Sequence, residues 1–234
     1  MTNRNFNFAA TIFLAFMIIF SGSCTKLDSN DPQPETVAYV GIVHASPNAG
    51  AIDIAFDQNR LNLNFFNYTD RVSYLRAFPG TRAFQVFKRG TYDTLVAKNI
   101  QLEIGKSYSA FVADTGKKMD VVLLRDSSRA PGADSIRIRF ANMSPDAGNL
   151  NLYVTGNNNP IATNIGYKAA SEFISMKAAN NVTLEIKQTG QAASLAQTVS
   201  INLLNGYYYT IWSTGFKANT TENAMALQLE SFWH

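Results

Sequence analysis

The sequence predicts an all-β protein: two tandem antiparallel β-sandwich domains of immunoglobulin-like proportions behind an N-terminal export signal. Three observations carry this. Apolar residues recur at every second position, as in Ile136, Ile138, Phe140 and Leu150, Leu152, Val154, which is the pattern of half-buried strands. Turn signals such as Phe78-Pro79-Gly80, Arg89-Gly90 and Asn205-Gly206 break the chain at short intervals, the spacing of a sandwich. The stretch VGIVHASPNAGAIDIAF at 40–56 also returns without a gap as IRFANMSPDAGNLNLYV at 138–154, and each copy closes on a Gly-x-x-Tyr segment, Gly105 to Tyr108 and Gly206 to Tyr209. A period this long is one small domain, not a solenoid unit.

In chain order, Arg4 precedes an apolar run from Phe8 to Phe20, followed by the small residues Ser21, Gly22 and Ser23. That is a signal peptide over 1–23, and its apolar core falls short of the roughly 18 residues that span a membrane. The next residue, Cys24, is the single cysteine of the chain. This arrangement resembles the lipobox of bacterial lipoproteins, in the loose form seen in Bacteroidetes. The resemblance implies cleavage before Cys24 and lipidation of its thiol, with palmitate-type chains holding the protein on the outer membrane, on its periplasmic or its cell-surface side. The alternative is ordinary cleavage near Ser23 that leaves a free N-terminal thiol. Residues 24–36 are polar and rich in Asp, Asn and Pro, and read as a tether. The first sandwich is expected over 37–126, a polar linker over 127–134 and the second sandwich over 135–234. A polar linker between complete repeats implies few shared core contacts.

Several functional classes are disfavoured. Formal net charge is +3, with Lys and Arg scattered among acidic residues, so no basic stripe suited to nucleic acid exists. The two histidines, His44 and His234, and the single cysteine make a zinc site improbable, and no calcium-loop motif is present, so neither metal nor cofactor is expected. His44, Ser46 and Asp53 are the side chains of a hydrolytic triad within one short stretch. The second copy puts Asn142, Ser144 and Asn151 at those places, without base or carboxylate. The shared residues, Ser46, Pro47 and Gly50 with Ser144, Pro145 and Gly148, suit a tight turn, and His44 and Asn142 each bring a side-chain donor that can tie it down. The sequence is therefore read as non-catalytic.

The segments VHASPNAGAIDIAF, YLRAFPGTRAFQVF and LEIGKSYSAFVAD resemble domain-of-unknown-function family 4397 (DUF4397), which is often found in tandem on exported bacterial proteins. The resemblance implies the fold and leaves the activity open. The functional classes that remain are a binding module for glycan, a structural or protein-interaction component of the cell envelope and, last, a hydrolase built on His44, Ser46 and Asp53. Setting Tyr108 and Tyr209 inward leaves Tyr208 and Trp212 outward, about 13 Å apart along the strand, where the first copy has Phe111. Two arrangements follow: a ledge open to the sugar rings of a polysaccharide, or a face packed on the first domain. Thr94 and Ser135 resemble acceptors of O-glycans on exported Bacteroidetes proteins.

Overall fold

The computed structural model describes residues 36–62, 64–127 and 129–232. The expected signal peptide, Cys24, the expected tether up to Glu35 and His234 lie outside the described residues. The first repeat contributes β1 (Ala38–Ala45), β2 (Ile52–Phe56), β3 (Asn59–Arg60), β4 (Arg71–Ala77), β5 (Gly80–Lys88), β6 (Thr94–Leu102), β7 (Ser107–Ala113) and β8 (Asp120–Arg125). The second contributes β9 (Ser135–Asn142), β10 (Leu150–Val154), β11 (Ala162–Ile165), β12 (Ala169–Ala170), β13 (Ile174–Lys177), β14 (Ala179–Val182), β15 (Leu184–Gln188), β16 (Ser194–Gln197), β17 (Ile201–Leu203), β18 (Tyr208–Thr214) and β19 (Ala226–Phe232).

Strand order repeats with the sequence. In the first repeat one sheet runs β4-β1-β7-β8 and the other β3-β2-β5-β6. In the second, β12-β9-β18-β19, with β13 also on β9, matches the first sheet, and β11-β10-β15-β16 matches the second. The long β5–β6 ladder has become two shorter ladders, β15–β16 and the separate pair β14–β17. Most pairings are antiparallel, as the sequence predicts, and two, β1–β7 and β9–β18, are parallel. Turn signals fix direction only for strands joined by a turn, and these two pairs are joined by most of a repeat.

Alternation on each strand decides the layers. Val40, Ile42, Ile54, Phe84, Val86, Tyr108 and Ala110 enclose the first core, and Ile138, Phe140, Leu152, Ile186, Tyr209 and Ile211 the second. A third core joins them: Val43, Ala45, Phe111 and Ala113 pack against Ala141, Met143 and Trp212. The outward face of the β1–β7 sheet is thus laid on the outward face of the β9–β18 sheet. This corrects the expectation of few shared core contacts, and residues 35–234 cluster as one compact unit.

Candidate functional site

The three residues of the apparent triad are not assembled. His44 is fully buried at the end of β1; its Nε2 donates to the Gly50 carbonyl at 2.9 Å, and its Nδ1 accepts the Ser46 amide at 3.3 Å. Ser46 Oγ donates instead to the carbonyl of Asp114. Asp53 lies on β2 in the other sheet, among arginines. Asn142 explains the arrangement: its Nδ2 donates to Gly148 O at 2.9 Å and its Oδ1 accepts the Ser144 amide at 3.1 Å, the same two bonds made by an amide. His44 is therefore a neutral staple that closes the Ser-Pro turn, with Gly50 and Gly148 both at φ +68° to let the chain leave it.

Burial lowers the His44 pKa, against the opposing hydrogen bond to Gly50 and the charge of Asp70. In the unfolded chain the imidazole titrates near 6.5, so below that pH the unfolded state takes up the proton first. Stability is full above about pH 6.5 and declines as pH falls toward the folded value, by at most about 1.4 kcal/mol per pH unit. His44→Asn should keep both staple bonds and remove this slope. Urea unfolding of the two chains at pH 7.5 and 5.5 checks it, since every other titrating group is common to both; a variant that keeps the slope of the parent contradicts the staple.

The aromatic ledge is buried. Trp212 and Phe111 are both fully buried, their rings 5.6 Å apart and tilted by 66°, and Tyr208 is buried against Phe232 at 5.0 Å. The facing expected from sequence is right, with Tyr108, Ala110, Tyr209 and Ile211 inward, yet the outward face meets the other repeat. Phe111 and Trp212 are therefore corrected from binding ledge to interface core, and Tyr208 to a buried ring beside Phe173 and Phe232 of its own repeat. Beside them Arg139 of β9 crosses the junction. Its guanidinium reaches Asp126 at 2.5 Å, Ser109 Oγ at 3.0 Å, Thr210 Oγ1 at 2.9 Å and the Arg125 carbonyl at 3.0 Å, with the Phe173 ring 4.5 Å away. Tyr74 donates to the second oxygen of Asp126 at 2.5 Å, and burial and the Asp126 charge push its phenol far above the usual range. Sequence reasoning missed this network, because each member reads as an ordinary outward polar residue.

A concavity remains on the outer face of the first repeat's second sheet. It measures about 390 Å³ and is lined by Ala55, Gln58, Arg60, Gln85, Phe87 and Tyr92, with Asp53 at its edge. Ala55 and Phe87 give an apolar floor, Gln58, Arg60 and Gln85 a polar rim, and Tyr92 stands 97% exposed on the β5–β6 turn. Asp53 builds the walls. Its Oδ1 takes Arg60 at 2.5 Å, Arg89 at 2.6 Å and Asn62 at 3.3 Å, and its Oδ2 takes the Gly90 amide at 3.0 Å, so it ties the β2–β3 hairpin to the turn that carries Tyr92. Burial alone would raise this carboxyl; the bonds from Arg89 and Gly90 and the two positive charges outweigh it and hold it below the usual range.

The duplication supplies a comparison within the chain. Asp53 pairs with Phe87 and Ala55 with Gln85 across β2–β5; the same register in β10–β15 pairs Asn151 with Lys187 and Tyr153 with Glu185. Tyr153 occupies the place of Ala55, and Lys187 lies 5.0 Å over its ring and 3.0 Å from Glu185. The face that is open in the first repeat is covered by its own side chains in the second. The signal legible in sequence was the Ala55/Tyr153 difference within otherwise matched copies. Of the two suggested O-glycan acceptors, Thr94 begins β6 and is exposed, and Ser135 begins β9, its Oγ donating to the Ala133 carbonyl at 3.1 Å.

Comparison with known proteins agrees on family. The model of the domain of unknown function DUF4397 matches residues 38–153. This segment belongs to the DUF4397 family. The DUF4397 match takes in the whole first repeat and reaches β10 of the second. No curated protein matches the chain. Among solved structures, a streptococcal family 41 carbohydrate-binding module that recognises α-glucan is 11% identical and aligns over 81% of this chain and 96% of its own, at a TM-score of 0.27. A streptococcal α-glucan-binding protein is 13% identical over 75% of this chain and 92% of its own, at 0.26. A family 26 module from Eubacterium rectale, solved with maltoheptaose, is 7% identical over 85% and 97%, at 0.26. A likeness this loose places no ligand on the chain.

Proposed function

We propose that the protein is a non-catalytic glycan-binding module, held on the outer membrane by lipid on Cys24, that takes its polysaccharide at the concavity of the first repeat. The observation that carries this is the open patch itself. An apolar aromatic floor, a rim of amide and guanidinium groups and a projecting Tyr92 form the mixed surface that a sugar needs, with its C–H faces against rings and its hydroxyls against polar side chains. An isolated exposed aromatic needs no explanation, but one at the lip of a pocket whose duplicate is filled points to a ligand.

Tyr92 has 97% of its surface in solvent, so its removal is expected to leave folding untouched. Tyr92→Ala should weaken retention on the polysaccharide bound by the parent at least tenfold, about 1.4 kcal/mol, with an unchanged unfolding midpoint. Affinity electrophoresis through a panel of soluble polysaccharides checks this. Unchanged retention in the variant moves the site elsewhere.

A further inference from the structure

Resting on that reading, we infer that the polysaccharide bound at this concavity is acidic, its carboxylates taken by Arg60. Asp53 is the one carboxylate among the residues lining the pocket, and its side chain is 5% exposed, with both oxygens engaged. Its negative charge is directed into the protein. Two guanidiniums converge on it. Arg89 is one, its side chain 24% exposed and its guanidinium 4.8 Å over the Phe65 ring.

Arg60 is the other, with a side chain 44% exposed in the pocket wall. Its Nε donates to the Asn62 carbonyl at 2.8 Å and its Nη2 to Asp53, while its Nη1 has no partner among the described residues. A guanidinium held at two of its nitrogens is already oriented, so a ligand carboxylate meets a fixed donor without the ordering cost of a free side chain.

The surrounding charges leave that positive excess in place. Lys88 and Asp93, joined by a backbone hydrogen bond across the Tyr92 turn, cancel in formal charge, and Asp57 is paired with Arg82 at 3.0 Å. The second repeat supplies the contrast. Gln85 and Phe87 are replaced there by Glu185 and Lys187, which pair with each other at 3.0 Å, so its face offers neither an opening nor an unbalanced charge. Neutral glycans satisfy the rings and amides of the first-repeat patch but leave the exposed guanidinium edge to water, and a uronic acid polymer satisfies all three.

The test sets polygalacturonate and alginate beside their methyl esters, which keep the backbone and remove the carboxylate charge, titrated with the mature chain at low and physiological salt. The acidic forms should bind at least tenfold more tightly, with a preference that shrinks as salt rises. Arg60→Gln should bring the ratio of acid to ester affinity to about one, and Arg60→Lys, which keeps the charge, should retain part of the preference. Equal binding of acids and esters, or a preference unaltered in Arg60→Gln, overturns the acidic assignment and leaves the glycan site standing. Binding of both forms that is unchanged in Tyr92→Ala overturns the site itself.

Discussion

Arg139→Met is expected to lower the free energy of unfolding by about 3–5 kcal/mol, because it leaves the Asp126 carboxylate buried without its counter-charge. The Arg139 and Asp126 side chains are 3% and 0% exposed, and the guanidinium donates to four acceptors drawn from both repeats. The cost belongs to the uncompensated charge more than to the lost attraction, so the double variant Arg139→Met, Asp126→Leu should recover a substantial part of the loss, although Tyr74 and Ser109 then lose the acceptor they share and keep only the contact between their hydroxyls. Urea unfolding of the two single variants and the double variant reads the coupling directly. Strictly additive losses would mean that the pair contributes nothing jointly.

Trp212→Ala should cost about 3–5 kcal/mol as well, by a different mechanism. The indole is fully buried in the core shared by the two repeats, with Phe111 of the first and Ala141 and Met143 of the second, and two hydrogen-bonded sheets cannot easily close on the cavity it would leave. For a unit of this size, a loss of that order lowers the melting temperature by roughly 6–20 °C. The parent and variant are compared by calorimetry. A ledge open to sugar would show the reverse, a lost ligand with unchanged melting. The same third core implies that the first repeat, cut free after Asp126, exposes Val43, Ala45 and Phe111 to water and has no Arg139 to meet its buried carboxylate.

The duplication accounts for how much could be read without coordinates. Two aligned copies of one pattern specify strands, turns and the side of each strand that faces its own core, because alternation with period two is a local property of the chain. Tyr108, Ala110, Tyr209 and Ile211 are inward and Phe111 and Trp212 outward, as the pattern requires. The turn at Ser46-Pro47 was legible for the same reason: Asn142 stands where His44 does, and only a hydrogen-bonding role is common to both.

What covers an outward face is not local, and no periodicity encodes it. Arg139 and Asp126 read as solvent-facing charges until the two sheets meet, and Trp212 stays open to either a sugar or the first repeat until Phe111 is found against it. The parallel pairs β1–β7 and β9–β18 are of the same kind, since strands separated by most of a repeat carry no turn between them to state their direction. The site too was settled in three dimensions. Asp53 was visible in the sequence as a carboxylate, but its task of tying Arg60 to the Tyr92 turn depends on a hairpin and a sheet neighbour folding toward it. Sequence alone determined the strands, their facing and the turn staple, because those follow from neighbours along the chain. Tertiary structure decided which faces were closed and which was left open, because that depends on one repeat meeting the other and on whether an alanine or a tyrosine fills the same place.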